Sequence, residues 1–468
     1  MALEPLKVNQ LPKALSLRKI IGPSFIILGL GLGSGEVILW PYLTSNFGMG
    51  VIWGALLGLS FQFIMNMEIE RYALAHGESI FVGFARKLRW LPIWFIFSTF
   101  LPWIWPGIAA SSATLVGHLV GFEQTHYIAI GFLILMGLIL SLGPVLYKTV
   151  ETFEKVLIIL GVPSIFVISV ILAERADWIA AAKGIVGIGE GFSFLPAAIP
   201  MATFLGALAY AGAGGNLNLA QSYYVKEKGY GMGKFAGRIT SLFTGKKDEE
   251  EISLTGTAFE PTEENLSEFK KWWRNINIEH FVVFWGTGSI TIVLLALLSY
   301  TTTFGKGADT ASISFVISEA QAIGELLIPA VGTFFLIVAS LTLFGTQLTV
   351  FDATSRILSE NIILALPSKL RSSDIPRMYY FVLWSLIGSG ILILLLGFTQ
   401  PLVLLTTAAV LNAMAMFVHV GLTLWMNMTL LKKEIRPSAL RILLMVAAFL
   451  FYGGFSGFVL VDQLQKFF

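Results

Sequence analysis

Residues 29–36 read GLGLGSGE: four glycines at alternate positions inside an apolar run, with an acid directly after the last. Glycine is a poor helix former and a carboxylate at membrane depth is costly, so neither belongs in an ordinary transmembrane helix. A second cluster, AGAGGNLN at residues 211–218, interrupts another apolar stretch in the same manner. Irregular backbone within a bilayer is tolerated only where protein buries it or where it lines a cavity. The two clusters therefore govern how the rest of the chain is read.

Composition sets the class. Mean hydropathy is +0.78, 56% of the 468 residues are hydrophobic and only 13% are charged, which marks an integral membrane protein. Stretches of about 20 apolar residues, each long enough to cross as a helix, predict an all-α protein of about eleven spans. They fall at 20–46, 49–70, 91–120, 127–147, 154–173, 195–225, 279–300, 326–358, 378–399, 401–430 and 438–462. With a cytoplasmic N-terminus, 27 of the 31 Lys and Arg fall on the inner side of this topology, as the positive-inside rule requires. The expected location is the plasma (inner) membrane, with the bilayer itself as a partner. No cleavable signal is apparent in residues 1–19, which read as a cytoplasmic segment. The absence of Cys removes disulfides and thiolate metal sites. The net charge of +2 gives no reason to expect a nucleic-acid partner.

The glycine clusters lie in spans 1 and 6, five spans apart, so the two halves have inverted topology. Interrupted segments at matching places in two halves are the sequence mark of a transporter built on inverted repeats. Residues 20–173 form the first repeat and 195–430 the second, with 438–462 an added eleventh span. The interruption in span 1 is expected over residues 29–35, and that in span 6 at Gly212, Gly214 and Gly215. Residues 227–278 form a polar cytoplasmic insertion, read mainly as a partly ordered linker, in which EENLSEFKKWWRN can form an amphipathic helix on the membrane face.

Each break leaves half-helix ends. N-termini near Ser34 and Asn216 carry partial positive charge and suit an anion, while opposed carbonyls near Gly29–Gly31 and Tyr210–Gly212 suit a hard cation. Glu36 either caps its half-helix or binds and gates an ion.

The stretches IIGPSFIILGLGLGSGE (20–36), GALAYAGAGGNLNLAQS (206–222) and RYALAHGESI (71–80) resemble the Nramp family of divalent-metal transporters. The resemblance covers most of the chain and implies a LeuT-type fold, with five-plus-five inverted repeats and broken helices 1 and 6. In that family span 1 carries Asp-Pro-Gly-Asn and span 6 Met-Pro-His. Here those places hold Gly33, Ser34, Gly35 and Glu36, and Ala213, Gly214 and Gly215. The thioether, the central carboxylate and the proton-linked imidazole are all replaced, which argues against a transition-metal site coupled to protons. A wider, glycine-lined cavity is expected instead. The pattern is similar to the Nramp-related branch associated with bicarbonate.

The expected function is thus secondary transport of a small inorganic anion, foremost bicarbonate, coupled to sodium. Magnesium or manganese transport is the alternative, and a non-transporting scaffold a third reading. The expected substrate site comprises Gly33, Ser34, Gly35, Glu36, Ala213, Gly214, Gly215, Asn216, Asn218 and Asn412. By likeness to LeuT-type sodium sites, Gly29, Gly31, Thr346 and Thr349 are the sodium candidates. No cofactor beyond that coupling ion is expected, and no catalytic residues, since no Ser/His pair, zinc motif or nucleotide loop lies at membrane depth. Asp352 and Arg356, at i and i+4, are expected to pair.

Overall fold

The computed structural model describes residues 3–20, 23–142, 159, 161, 163–236, 254–307, 310 and 312–467. Span 1 comprises α1 (Pro23–Leu32), a wide π-helical turn over Ser34–Leu39 and α2 (Trp40–Phe47). Span 2 is α3 (Trp53–His76), followed by the short α4 (Ile80–Lys87). Span 3 is α5 (Leu91–Trp103) and α6 (Gly107–Val120), bent where the sequence LPWIWPG places two prolines. Span 4 is α7 (Thr125–Leu142), and α8 (Pro163–Leu172) is the described part of span 5. The remainder of the expected spans 127–147 and 154–173 lies outside the described residues.

The second half opens with α9 (Arg175–Ile185) between spans 5 and 6. Span 6 is α10 (Met201–Ala209), an unwound stretch, a 3-10 turn over Gly215–Ala220 and α11 (Gln221–Lys228). Then come α12 (Glu263–His280), α13 (Thr287–Thr303), α14 (Ser314–Leu326), α15 (Pro329–Ala365), α16 (Ile375–Leu395), α17 (Pro401–Leu430) and α18 (Ala439–Phe467). Among the described residues nine helices are long and apolar enough to cross a membrane. The centre is built by α15 and α17, which pack against α5 and α6, with α15 also meeting α1 and α17 meeting α10. Leu138, Phe166, Leu392, Leu395, Leu443 and Leu450 remain exposed, as lipid-facing positions must.

Three features differ from the sequence reading. The helix of span 1 runs through Gly29 and Gly31 to Leu32, so the break begins at Gly33 rather than spreading over 29–35. Pro41 lacks the N–H that would continue the helical ladder, and the widened turn before it absorbs the mismatch. Second, α9 and α14 are helices where loops were expected. At 13 residues α14 is too short to cross, yet it buries Phe315, Val316, Ala320 and Ile323.

Third, the described part of the insertion is ordered. Thr262 Oγ1 accepts from Asn265 N (3.3 Å) to cap α12, which runs through a π turn at Phe281–Gly286 into α13. The N-terminal segment lies along α12 in parallel. Strand β1 (Lys7–Val8) pairs with β2 (Thr257–Ala258), Leu11 N donates to Asn265 Oδ1 (3.1 Å) and Ala14 N to Glu268 (2.9 Å). Trp272 Nε1 donates to Pro12 O (2.8 Å), Asn275 Nδ2 to Leu15 O (2.9 Å), and Ser24 Oγ to Glu279. The apolar side of α12, Phe269, Trp272 and Ile276, is buried against protein rather than lying on a membrane face.

Candidate functional site

The two interruptions meet at backbone. A methyl group on Gly35 would overlap the Tyr210 carbonyl oxygen, and one on Gly33 would overlap the Thr346 hydroxyl. Gly214 lies on the Tyr210 ring and Gly215 on the Asn412 amide. These four glycines are thus places of close approach, and Tyr210, Thr346 and Asn412 fill the space that a glycine-lined cavity was expected to leave open. In span 6 the chain turns through Gly214 and Gly215, with φ of 75° and 56° in succession, which L side chains adopt only under strain. Ala213, just ahead of these turns, is buried.

Side chains from other helices hold the unwound segment. Gln62 of α3 donates from Nε2 to Ala209 O (3.0 Å) and accepts at Oε1 from Gly214 N (3.2 Å), so one amide clamps both ends. Trp103 stacks on Tyr210 with centroids 5.7 Å apart, and Asn412 Nδ2 donates to the Tyr210 hydroxyl (2.9 Å). The Gly215 carbonyl accepts from Asn218 Nδ2 (3.4 Å) and from His419 Nε2 (3.0 Å). Since a carbonyl only accepts, Nε2 of His419 carries the proton and Nδ1 is a lone pair. Asn216 Nδ2 donates to Ser98 Oγ (2.8 Å) and Thr99 Oγ1 (2.9 Å) of α5.

What these bonds leave over is chemically one-sided. Asn216 uses both of its amide hydrogens in these bonds and Asn218 and Asn412 use one each, while Oδ1 of each is buried without a partner among the described residues. Both carboxylate oxygens of Glu36, a residue 0% exposed, are likewise without a partner. Among side-chain donors here, the Trp103 indole N–H and the Asn66 amide nitrogen have no partner among the described residues. Ser34, two residues before Glu36 in the chain, is also buried. Among the described residues no group of three or more His, Asp or Glu converges as metal ligands. A cation would therefore rest on one carboxylate and neutral oxygens.

The sodium candidates are brought together in part. Thr346 Oγ1 donates to Gly29 O (3.1 Å), joining α15 to α1. Thr349 Oγ1 donates to Gly345 O (3.0 Å) within its own helix, and Gly31 lies inside α1. Sequence reading missed Gln62 and His419. Gln62 and Asn66 stand at i and i+4 in the apolar middle of span 2, a polar face that could have flagged Gln62.

Toward the N-terminal face, Asp352 and Arg356 pair as expected (2.9 Å), and Arg356 also bonds Glu227 while Tyr379 donates to Asp352 (2.8 Å). Gln221 of α11 donates to Glu70 (2.7 Å), which also lies 3.3 Å from His280 Nδ1.

No protein-family model and no curated protein matches the chain by sequence. Solved structures do match by fold. A mutant of the manganese transporter of Eremococcus coleocola aligns with a TM-score of 0.71 at 12% identity, over 99% of this chain and 91% of that one. Mhp1, a nucleobase-cation-symport-1 family transporter with bromovinylhydantoin bound, gives 0.54 at 14% identity over 94% and 84%. MhsT in complex with L-phenylalanine gives 0.50 at 12% identity over 96% and 99%. The fold is the LeuT type, with spans 1 and 6 broken and an eleventh span added.

Proposed function

We propose that the chain is a secondary transporter of a hard divalent cation, magnesium or manganese, bound between the interruptions of spans 1 and 6. The observation that carries this reading is the surplus of buried oxygen acceptors: Glu36 Oε1 and Oε2 with Oδ1 of Asn216, Asn218 and Asn412. Oxygen ligands with a single carboxylate suit a hard ion that keeps part of its water. Ala213, where the resembling family has Met, takes away the soft ligand that favours a later transition metal. Fold likeness to a manganese transporter points the same way.

This ordering reverses the sequence expectation. Bicarbonate needs donors, and four of the six side-chain amide hydrogens of Asn216, Asn218 and Asn412 are engaged by Ser98, Thr99, Gly215 and Tyr210. The Trp103 indole N–H is the feature that favours an anion. Sodium coupling through Thr346 and the Gly29 carbonyl remains part of the proposal, with sodium exchanging for the bond that now joins them. Binding to the native state raises thermal stability, by about 2.7 kcal/mol at a hundred times Kd. Purified protein should therefore melt higher in magnesium or manganese chloride than in matched sodium bicarbonate. Stabilisation by bicarbonate alone would favour the anion.

A further inference from the structure

We infer that Glu319 is a second cation-binding carboxylate, carried on α14 as a lid over the outer end of α2. The inference rests on the cation reading of the central site and extends its route outward.

α14 meets α2 through one ring contact, and Thr310, ahead of α14, is bonded to α2 as well. Asn46 and Thr310 exchange hydrogen bonds (Thr310 Oγ1 to Asn46 Oδ1, 2.9 Å; Asn46 Nδ2 to Thr310 O, 3.3 Å), and Phe315 meets Tyr42 edge-on at 6.0 Å. From this helix Glu319 turns inward. It is 2% exposed, and its Oε1 has no partner among the described residues. The polar group beside it is the Ser299 hydroxyl of α13, which itself donates to Pro41 O (3.2 Å). That bond puts Glu319 level with Pro41, five residues outward of Glu36 and about 7 Å along the helix at 1.5 Å per residue.

The surroundings are acidic. Tyr300 donates to Glu190 (2.9 Å) and Thr301 to Asp177 (3.1 Å) at the end of α13, and Glu190 also lies against Gly48 at the end of α2. The nearby base, Lys306, is turned onto the Thr301 carbonyl (2.5 Å). A carboxylate buried with one neutral neighbour is costly unless something compensates it. Glu190 and Asp177, two acids at the mouth, attract cations toward it, against the bases Arg175 and Lys183 that α9 also carries. The arrangement is that of an entry station: acids at the surface, Glu319 under the lid and Glu36 at the break.

Binding stoichiometry tests this. Full-length protein in detergent is titrated with Mn2+, and free ion is counted by its paramagnetic resonance signal. Wild type should hold two ions, Glu319→Gln one, Glu36→Gln one, and the double variant none. Glu319→Asp, which keeps the charge, should still hold two, the outer one more weakly, while a monodisperse elution profile checks the fold of each variant. Two ions retained by Glu319→Gln would overturn the inference and leave the central site standing. Loss of an ion in Glu319→Gln but not in Glu36→Gln would keep the outer site and remove the central one. No ion bound by wild type would remove both.

Discussion

The α-carbon of Gly35 rests against the carbonyl oxygen of Tyr210, so the breaks in the first and sixth spans meet there backbone to backbone. Any side chain at residue 35 must push the two breaks apart. Gly35→Ala should therefore lower stability by about 1–3 kcal/mol, the usual cost of overpacking, and reduce transport at least tenfold. Melting temperature and uptake measured on the same preparation check this. Wild-type values for both would mean that the contact is slack.

Thr346 joins α15 to α1 through the Gly29 carbonyl. Thr346→Val keeps the shape and removes the donor, at a cost of about 1 kcal/mol. If this pair is also where sodium exchanges, the variant should lose the sodium dependence of transport while retaining cation binding. Rates measured across a sodium series separate the two effects.

Arg356 is buried between Asp352 and Glu227. Removing one partner of a buried ion pair is commonly worth about 3–5 kcal/mol, because the other charge is left uncompensated. Asp352→Asn should lower the melting temperature clearly, and Arg356→Met more so. Combining both changes should cost less than their sum, since Asp352 is then no longer a stranded charge and only Glu227 is left without its partner. A strictly additive result would contradict coupling between the two residues.

The strap formed by the N-terminal segment depends on α12. Trp272 is 1% exposed and holds the Pro12 carbonyl. Trp272→Ala should free residues 3–20 to protease, with a local loss of about 3–5 kcal/mol typical of a buried large-to-small change. Protection equal to wild type would show that β1 and the remaining bonds suffice.

Much of this was legible in the chain. Span lengths and the paired glycine clusters announced a helical membrane protein with two interrupted spans, the resemblance carried by the glycine stretches implied the LeuT-type fold, and the spacing of Asp352 and Arg356 announced their pair. Other features lacked a periodic signal. Two-residue strands such as Lys7–Val8 have no pattern to read, and they exist because Thr257–Ala258 lies opposite. The use of Gln62 depends on where the ends of α10 and the Gly214 turn fall in space. The glycines misled in a specific way. Their alternation suggested open space, yet tertiary packing placed Tyr210, Thr346 and Asn412 in front of them. Glu36 was marked as decisive, but its unpartnered carboxylate together with the bonds that Asn216, Asn218 and Asn412 make through their amide nitrogens tips the balance from anion toward cation.

Uptake by reconstituted protein tests the cation site most directly. Proteoliposomes carrying wild type should accumulate magnesium or manganese, and those carrying Glu36→Gln should fall to the level of protein-free liposomes. Sodium-driven accumulation of labelled bicarbonate without divalent uptake, or undiminished cation uptake in Glu36→Gln, would contradict it.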